Sequence, residues 1–103
     1  MSQLAAVARD ATSLMPKNDI SWKRRTPDGE RVEVYAHHVG DIWNFYTRGG
    51  RYDEWQFTPQ PPLEDWLSLL DGAERLIARD RMRPENADRL RKTIRERFPD
   101  AGI

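Results

Sequence analysis

The stretch Gly40–Pro59, GDIWNFYTRGGRYDEWQFTP, decides how this chain folds. It carries six of the ten aromatic residues, and apolar and polar positions alternate on either side of Gly49-Gly50. A period of two is the mark of a strand with one face inward, so the stretch reads as a β-hairpin. Its register follows from the loop that keeps like side chains opposite one another. A two-residue Gly49-Gly50 turn sets Phe45 against Glu54, apolar against charged. A three-residue loop of Gly49, Gly50 and Arg51 sets Phe45 against Trp55, Trp43 against Phe57, Tyr46 against Glu54 and Asn44 against Gln56. Glycine supplies the left-handed residue that such a loop needs. The three-residue loop is the expected one.

Working back toward the N-terminus, Gly40-Asp41 reads as a two-residue turn into a strand over Arg31–Val39. This turn pairs Tyr35 with Tyr46, Ala36 with Phe45, His37 with Asn44 and Glu33 with Arg48. Thr26-Pro27-Asp28-Gly29 is a further turn, because proline presets φ and glycine takes the left-handed position. A three-residue loop there pairs Trp22 with Val34, Ile20 with Ala36 and Lys23 with Glu33. The outcome is a four-stranded antiparallel meander over residues 19–58. One face carries Ile20, Trp22, Val34, Ala36, His38, Trp43, Phe45, Thr47, Trp55 and Phe57. The other carries Ser21, Lys23, Glu33, Tyr35, His37, Asn44, Tyr46, Arg48, Tyr52, Glu54 and Gln56. The sheet's tryptophans segregate from its tyrosines, as expected of one buried and one wet face.

On the flanks the period is helical. Leu4, Val7, Ala8, Ala11 and Leu14 or Met15 predict a short helix over 3–15, ended by Pro16. After the break TPQPP (58–62), Leu63, Trp66, Leu67, Leu70, Ala73 and Ile77 share an arc widened by Leu69 and Leu76. Glu64 and Asp65 complement the dipole of its first turn. Gly72 falls outside that arc, so a kink at Asp71-Gly72 is an alternative to one continuous helix. A second helix is expected from Pro84 to Phe98, with a thin stripe of Ala87, Leu90, Ile94 and Phe98. The fold class is α+β, order α-ββββ-αα, in a single domain over 1–103. The helices are expected to pack on the tryptophan face.

Composition excludes several functions. The 17 basic and 17 acidic residues cancel, so no whole-molecule field steers the chain to nucleic acid or an anionic membrane. There is no cysteine, hence no disulfide, thiol nucleophile or thiolate metal site. No apolar run reaches the ~20 residues of a membrane span, and the N-terminus lacks a secretory pattern. A cytoplasmic location is the default expectation, and no motif calls for a cofactor or metal.

His37-His38 is the obvious metal or catalytic pair, yet neighbours in a strand point to opposite faces. The tyrosine face is the candidate binding surface, with Tyr35, His37, Asn44, Tyr46, Arg48, Tyr52 and Glu54 on it. Tyrosine and arginine suit a protein partner. Exposed aromatics interleaved with arginine and amides equally suit unpaired bases, so single-stranded nucleic acid is the alternative ligand. An enzyme reading makes His37 a general acid or base tuned by Glu54. Against all three stands a structural role, with Tyr–Tyr and Glu–Arg pairs stabilising the sheet or the N-terminal helix covering it.

Residues 75–103 hold nine basic against five acidic residues, and residues 1–74 hold eight against twelve. Arg91, Lys92 and Arg95 on the last helix are therefore a second candidate surface, for a protein partner or for self-association. Asp88 before Lys92 and Glu85 before Arg89 have the spacing of ordinary surface ion pairs. The expectation is a non-enzymatic interaction module for a protein partner.

Overall fold

The computed structural model describes residues 19–40 and 42–103. The helix expected over 3–15 lies outside the described residues. The described chain has a four-stranded antiparallel sheet followed by two helices, an α+β fold. It forms two compact units that divide after Pro59.

In the first unit, β1 (Asp19–Arg25), β2 (Arg31–Val39), β3 (Ile42–Arg48) and β4 (Gln56–Thr58) lie in the order β1-β2-β3-β4. The first two registers are those the turns predict. Trp22 faces Val34 and Ile20 faces Ala36 across β1–β2, while Tyr35 faces Tyr46 and His37 faces Asn44 across β2–β3. The Thr26–Gly29 turn closes through Gly29 N–H to Thr26 O at 2.8 Å, and Gly29 has φ +89°. Thr26 also accepts at its hydroxyl from Glu30 N–H at 3.1 Å, and Arg25 donates to Gly29 O at 2.8 Å. Local chemistry thus sets the β1–β2 pairing before any tertiary contact is counted.

The third register differs from expectation. Phe45 faces Thr58, Tyr46 faces Phe57 and Thr47 faces Gln56, so β4 is displaced by three residues and Gly49–Trp55 forms the loop. An odd displacement turns every side chain of a strand to the opposite face. Phe57 therefore joins Tyr46, and Gln56 leaves the tyrosine face. The segregation of tryptophans from tyrosines fails at Trp55, whose ring stands edge-on to Tyr35 at 4.8 Å. The physical reason is that aromatic rings find partners on both faces. Tyr46–Phe57 and Tyr35–Trp55 contacts replace the expected Phe45–Trp55 pair. In the longer loop, Asp53 N–H donates to Gly50 O at 3.0 Å. On the other side, the Thr47 and Thr58 hydroxyls meet at 3.3 Å.

The face of Ile20, Val34, Ala36 and Phe45 is the buried one, and Val34, Ala36 and Phe45 have 1% exposure or less. Trp22 meets Phe45 edge-on at 6.2 Å, and His38 stacks on Trp43 at 4.2 Å, the neighbour its register assigns.

In the second unit, α1 (Leu63–Ala78) and α2 (Pro84–Arg97) pack as a hairpin, followed by a 3-10 turn at Pro99–Ala101. Helix α1 runs unbroken through Gly72, so the expected alternative of a kink there does not arise. Its inward arc is rotated from the expected one. Asp65, Trp66, Leu69, Leu70, Gly72 and Ala73 are buried, while Leu67 is exposed. Helix α1 ends in a Schellman arrangement, with Arg81 N–H on Leu76 O at 2.8 Å and Asp80 N–H on Ile77 O at 3.0 Å. Asp80 takes the left-handed position, φ 60°, where glycine is the usual residue. Helix α2 has Pro84 in its first turn and buries Ala87, Leu90 and Ile94 of the predicted stripe, while Phe98, its fourth member, is the half-buried cap residue just past the helix end. Pro99 follows that cap, as expected of a residue that cannot extend the ladder.

Candidate functional site

The tyrosine face is a set of cross-strand rows that the β1–β2–β3 registers place side by side. Nearest the β2–β3 turn are Val39 and Ile42, directly paired and 50% and 64% exposed. Next come Asp19, His37 and Asn44, then Ser21, Tyr35, Tyr46 and Phe57. Lys23, Glu33 and Arg48 complete the face.

The tyrosines stand upright against each other, with ring centroids 4.9 Å apart and planes within 15°. Trp55 closes the far side of Tyr35, and Phe57 leans on Tyr46 at 5.7 Å. Tyr35 is consequently buried at 6% exposure. Burial pushes its phenol up to about 12, because the phenolate would lose hydration. The neighbouring Tyr46 and Asp19 act in the same direction. Tyr35 is thus a neutral support beneath the surface, and Tyr46 with Phe57 forms its outer part.

Arg48 is also committed. Its Nε donates to Glu33 at 2.8 Å, and its guanidinium carbon lies 4.4 Å from the centre of the Trp55 ring. An open groove of about 450 Å³ runs along Ser21, Lys23, Glu33, Arg48 and Trp55. Trp55 Nε1 is buried without a hydrogen-bond partner among the described residues. His37 does not line that groove. Instead, Asp19 takes its Nδ1, and the Asp19 side chain is only 2% exposed.

The remaining predicted positions separate from these rows. Tyr52, 93% exposed, and Glu54, also exposed, lie in the Gly49–Trp55 loop rather than opposite Arg48 and Tyr46. Asp19, and not Glu54, is therefore the carboxylate that addresses His37. On α2, Arg91 is held by Glu74 of α1 and by Asp88 at 3.2 Å, so it is not the free cation expected of it. The predicted pairing of Asp88 with Lys92 gives way to this one. Lys92 and Arg95 are exposed.

Residues that sequence reasoning left out are Asp19, Val39, Ile42, Trp55 and Phe57. A signal existed for the first, because the turn at Pro27 to Gly29 that pairs Trp22 with Val34 also pairs Asp19 with His37. Val39 and Ile42 were equally placed on this face by the Gly40-Asp41 turn. Compared with protein families, curated proteins and solved structures, the chain matches none of them. Its class is that of a small α+β protein. Among the described residues, no helix is long and apolar enough to cross a membrane.

Proposed function

We propose that this chain is a non-enzymatic interaction module that binds a protein partner through the tyrosine-bearing face of its sheet. The observation that carries the reading is the convergence of exposed apolar side chains there. Val39, Ile42 and Phe57 are each at least half exposed and share the face with Tyr46. Apolar groups left in water on one face gain free energy when a partner covers them, at roughly 25 cal/mol per Å². A tyrosine, a phenylalanine and a buried aromatic foundation make a stiff contact surface, which limits the entropy lost on binding.

Single-stranded nucleic acid is served less well by the same geometry. Bases stack on free ring faces, and the Tyr35–Tyr46 stack with its flanking Trp55 and Phe57 uses those faces internally. The cation nearest the rings, Arg48, is neutralised by Glu33. Exposed Lys92 and Arg95 on α2 supply a further contact for an acidic surface of a partner.

The test is the pair Ile42→Ser and Phe57→Ser, made together in the full chain. Both side chains are largely in water, so the fold is expected to persist, as judged by an unchanged amide NMR spectrum away from the two sites. Proteins retained by the wild type and lost by the double variant support the reading. Retention of the same proteins at the same strength by both would overturn it.

A further inference from the structure

His37 and His38 are neighbours in β2 with opposite environments. His38 lies flat on Trp43. His37 stands on the tyrosine face, 38% exposed, with Nδ1 on a carboxylate that water hardly reaches. An ionised carboxylate only accepts hydrogen bonds, so Nδ1 must carry the proton and donate it to Asp19 Oδ1. The neutral ring is then confined to one tautomer, with its lone pair on Nε2. Among the described residues Nε2 has no hydrogen-bond partner, and it is not among the buried polar atoms. Its neighbours in register on that face are Asp19 of β1 and Asn44 of β3, with the Tyr35–Tyr46 and Val39–Ile42 rows on either side.

We propose that Asp19 and His37 form a carboxylate–imidazole dyad that presents His37 Nε2 as an outward proton-accepting site, fit for a ligand bringing an N–H or O–H donor. The carboxylate removes the alternative tautomer, in which Nε2 would be a donor, and fixes the orientation of the ring. The buried position of Asp19 strengthens that hold, because little solvent screens the pair. The inference concerns the free chain and stands whether or not the apolar part of the face binds a protein.

The experiment is long-range ¹H–¹⁵N correlation of the histidine side chains in the intact wild-type chain, at a pH where the rings are neutral. His37 is expected in the Nδ1–H form alone, with Nε2 showing the shift of an unprotonated nitrogen. An Nε2–H form, or an averaged pattern like that of free histidine, would overturn the proposal. A second measurement uses diethyl pyrocarbonate as the electrophile, which Nε2 attacks to form an N–C bond as ethyl carbonate leaves. Asp19→Asn leaves both tautomers open to the ring, so it is expected to slow that acylation of His37 several-fold while leaving His38 unchanged. An unaltered His37 rate in a variant whose amide spectrum remains native would count equally against it.

Discussion

Replacing Trp55 by alanine examines the register of β4 more sharply than any other single substitution. Complete removal of a buried tryptophan costs about 3–5 kcal/mol. Trp55 is largely buried, so most of that range, about 3 kcal/mol, is expected from lost packing. The edge-on contact with Tyr35 and the Arg48 guanidinium over the ring add about 1 kcal/mol together. Against this, the variant no longer buries the unpartnered indole N–H, which offsets about 1 kcal/mol. The net prediction is a loss of about 3 kcal/mol, read as a lower urea midpoint with an unchanged slope. The decisive readout is the ring-carbon NMR titration of Tyr35. Its phenol is pushed up to about 12 chiefly by burial, and removing the indole lets water reach it. Its titration should fall toward the ordinary value of 10.0. With Trp55 on the opposite face, against Phe45, the protein would still lose stability but Tyr35 would titrate as before. That combination would refute the register and everything built on it.

Other outcomes follow from single contacts. A phenol that ionises near 10 in the unfolded chain and only near 12 in the fold makes stability fall as pH rises through that interval, with no effect below it. Tyr35→Phe should flatten this alkaline decline, which corresponds to about 2–3 kcal/mol, in urea melts at a series of pH values. Asp80→Gly should raise stability by about 1 kcal/mol, since Asp80 holds a left-handed conformation in the Schellman turn that glycine adopts freely, and thermal unfolding would register the gain. Gly29→Ala should lower it by about 1 kcal/mol for the converse reason at φ +89°. Arg91→Ala, which removes the links to Glu74 and Asp88, should cost only about 0.5 kcal/mol and less in high salt, because the groups are well hydrated.

How far the fold could be read from sequence depended on what kind of signal each element offered. Turns with backbone chemistry of their own were legible to the residue. Pro27-Asp28-Gly29 and Gly40-Asp41 impose loop lengths, and loop length imposes register, so β1, β2 and β3 pair as expected. Proline punctuation at 61–62, 84 and 99 likewise bounded both helices. The β3–β4 register had no such anchor. Gly49-Gly50 permits many loops, so the expectation leaned on matching like with like, and the rings of Trp55 and Phe57 could match on either face. Tyr35 looked exposed for that reason alone. The Asp19–His37 contact was fully implied by a correct register, but it required carrying the pairing to the first residue of β1. Arg91 illustrates a different gap, since its partner Glu74 lies on the other helix and no spacing within α2 reveals it.

The most direct test of the proposed docking face is site-specific photocrosslinking in the chain, with a photoreactive residue at Ile42 or Phe57 and a control at Asp28 in the β1–β2 turn. The sheet geometry places the first two on one surface with Tyr46 and the third at an exposed turn away from it. Crosslinks to one and the same protein from Ile42 and Phe57, and none from Asp28, are the predicted result. Equal crosslinking from all three positions, or from Asp28 alone, would contradict a binding surface on the tyrosine face.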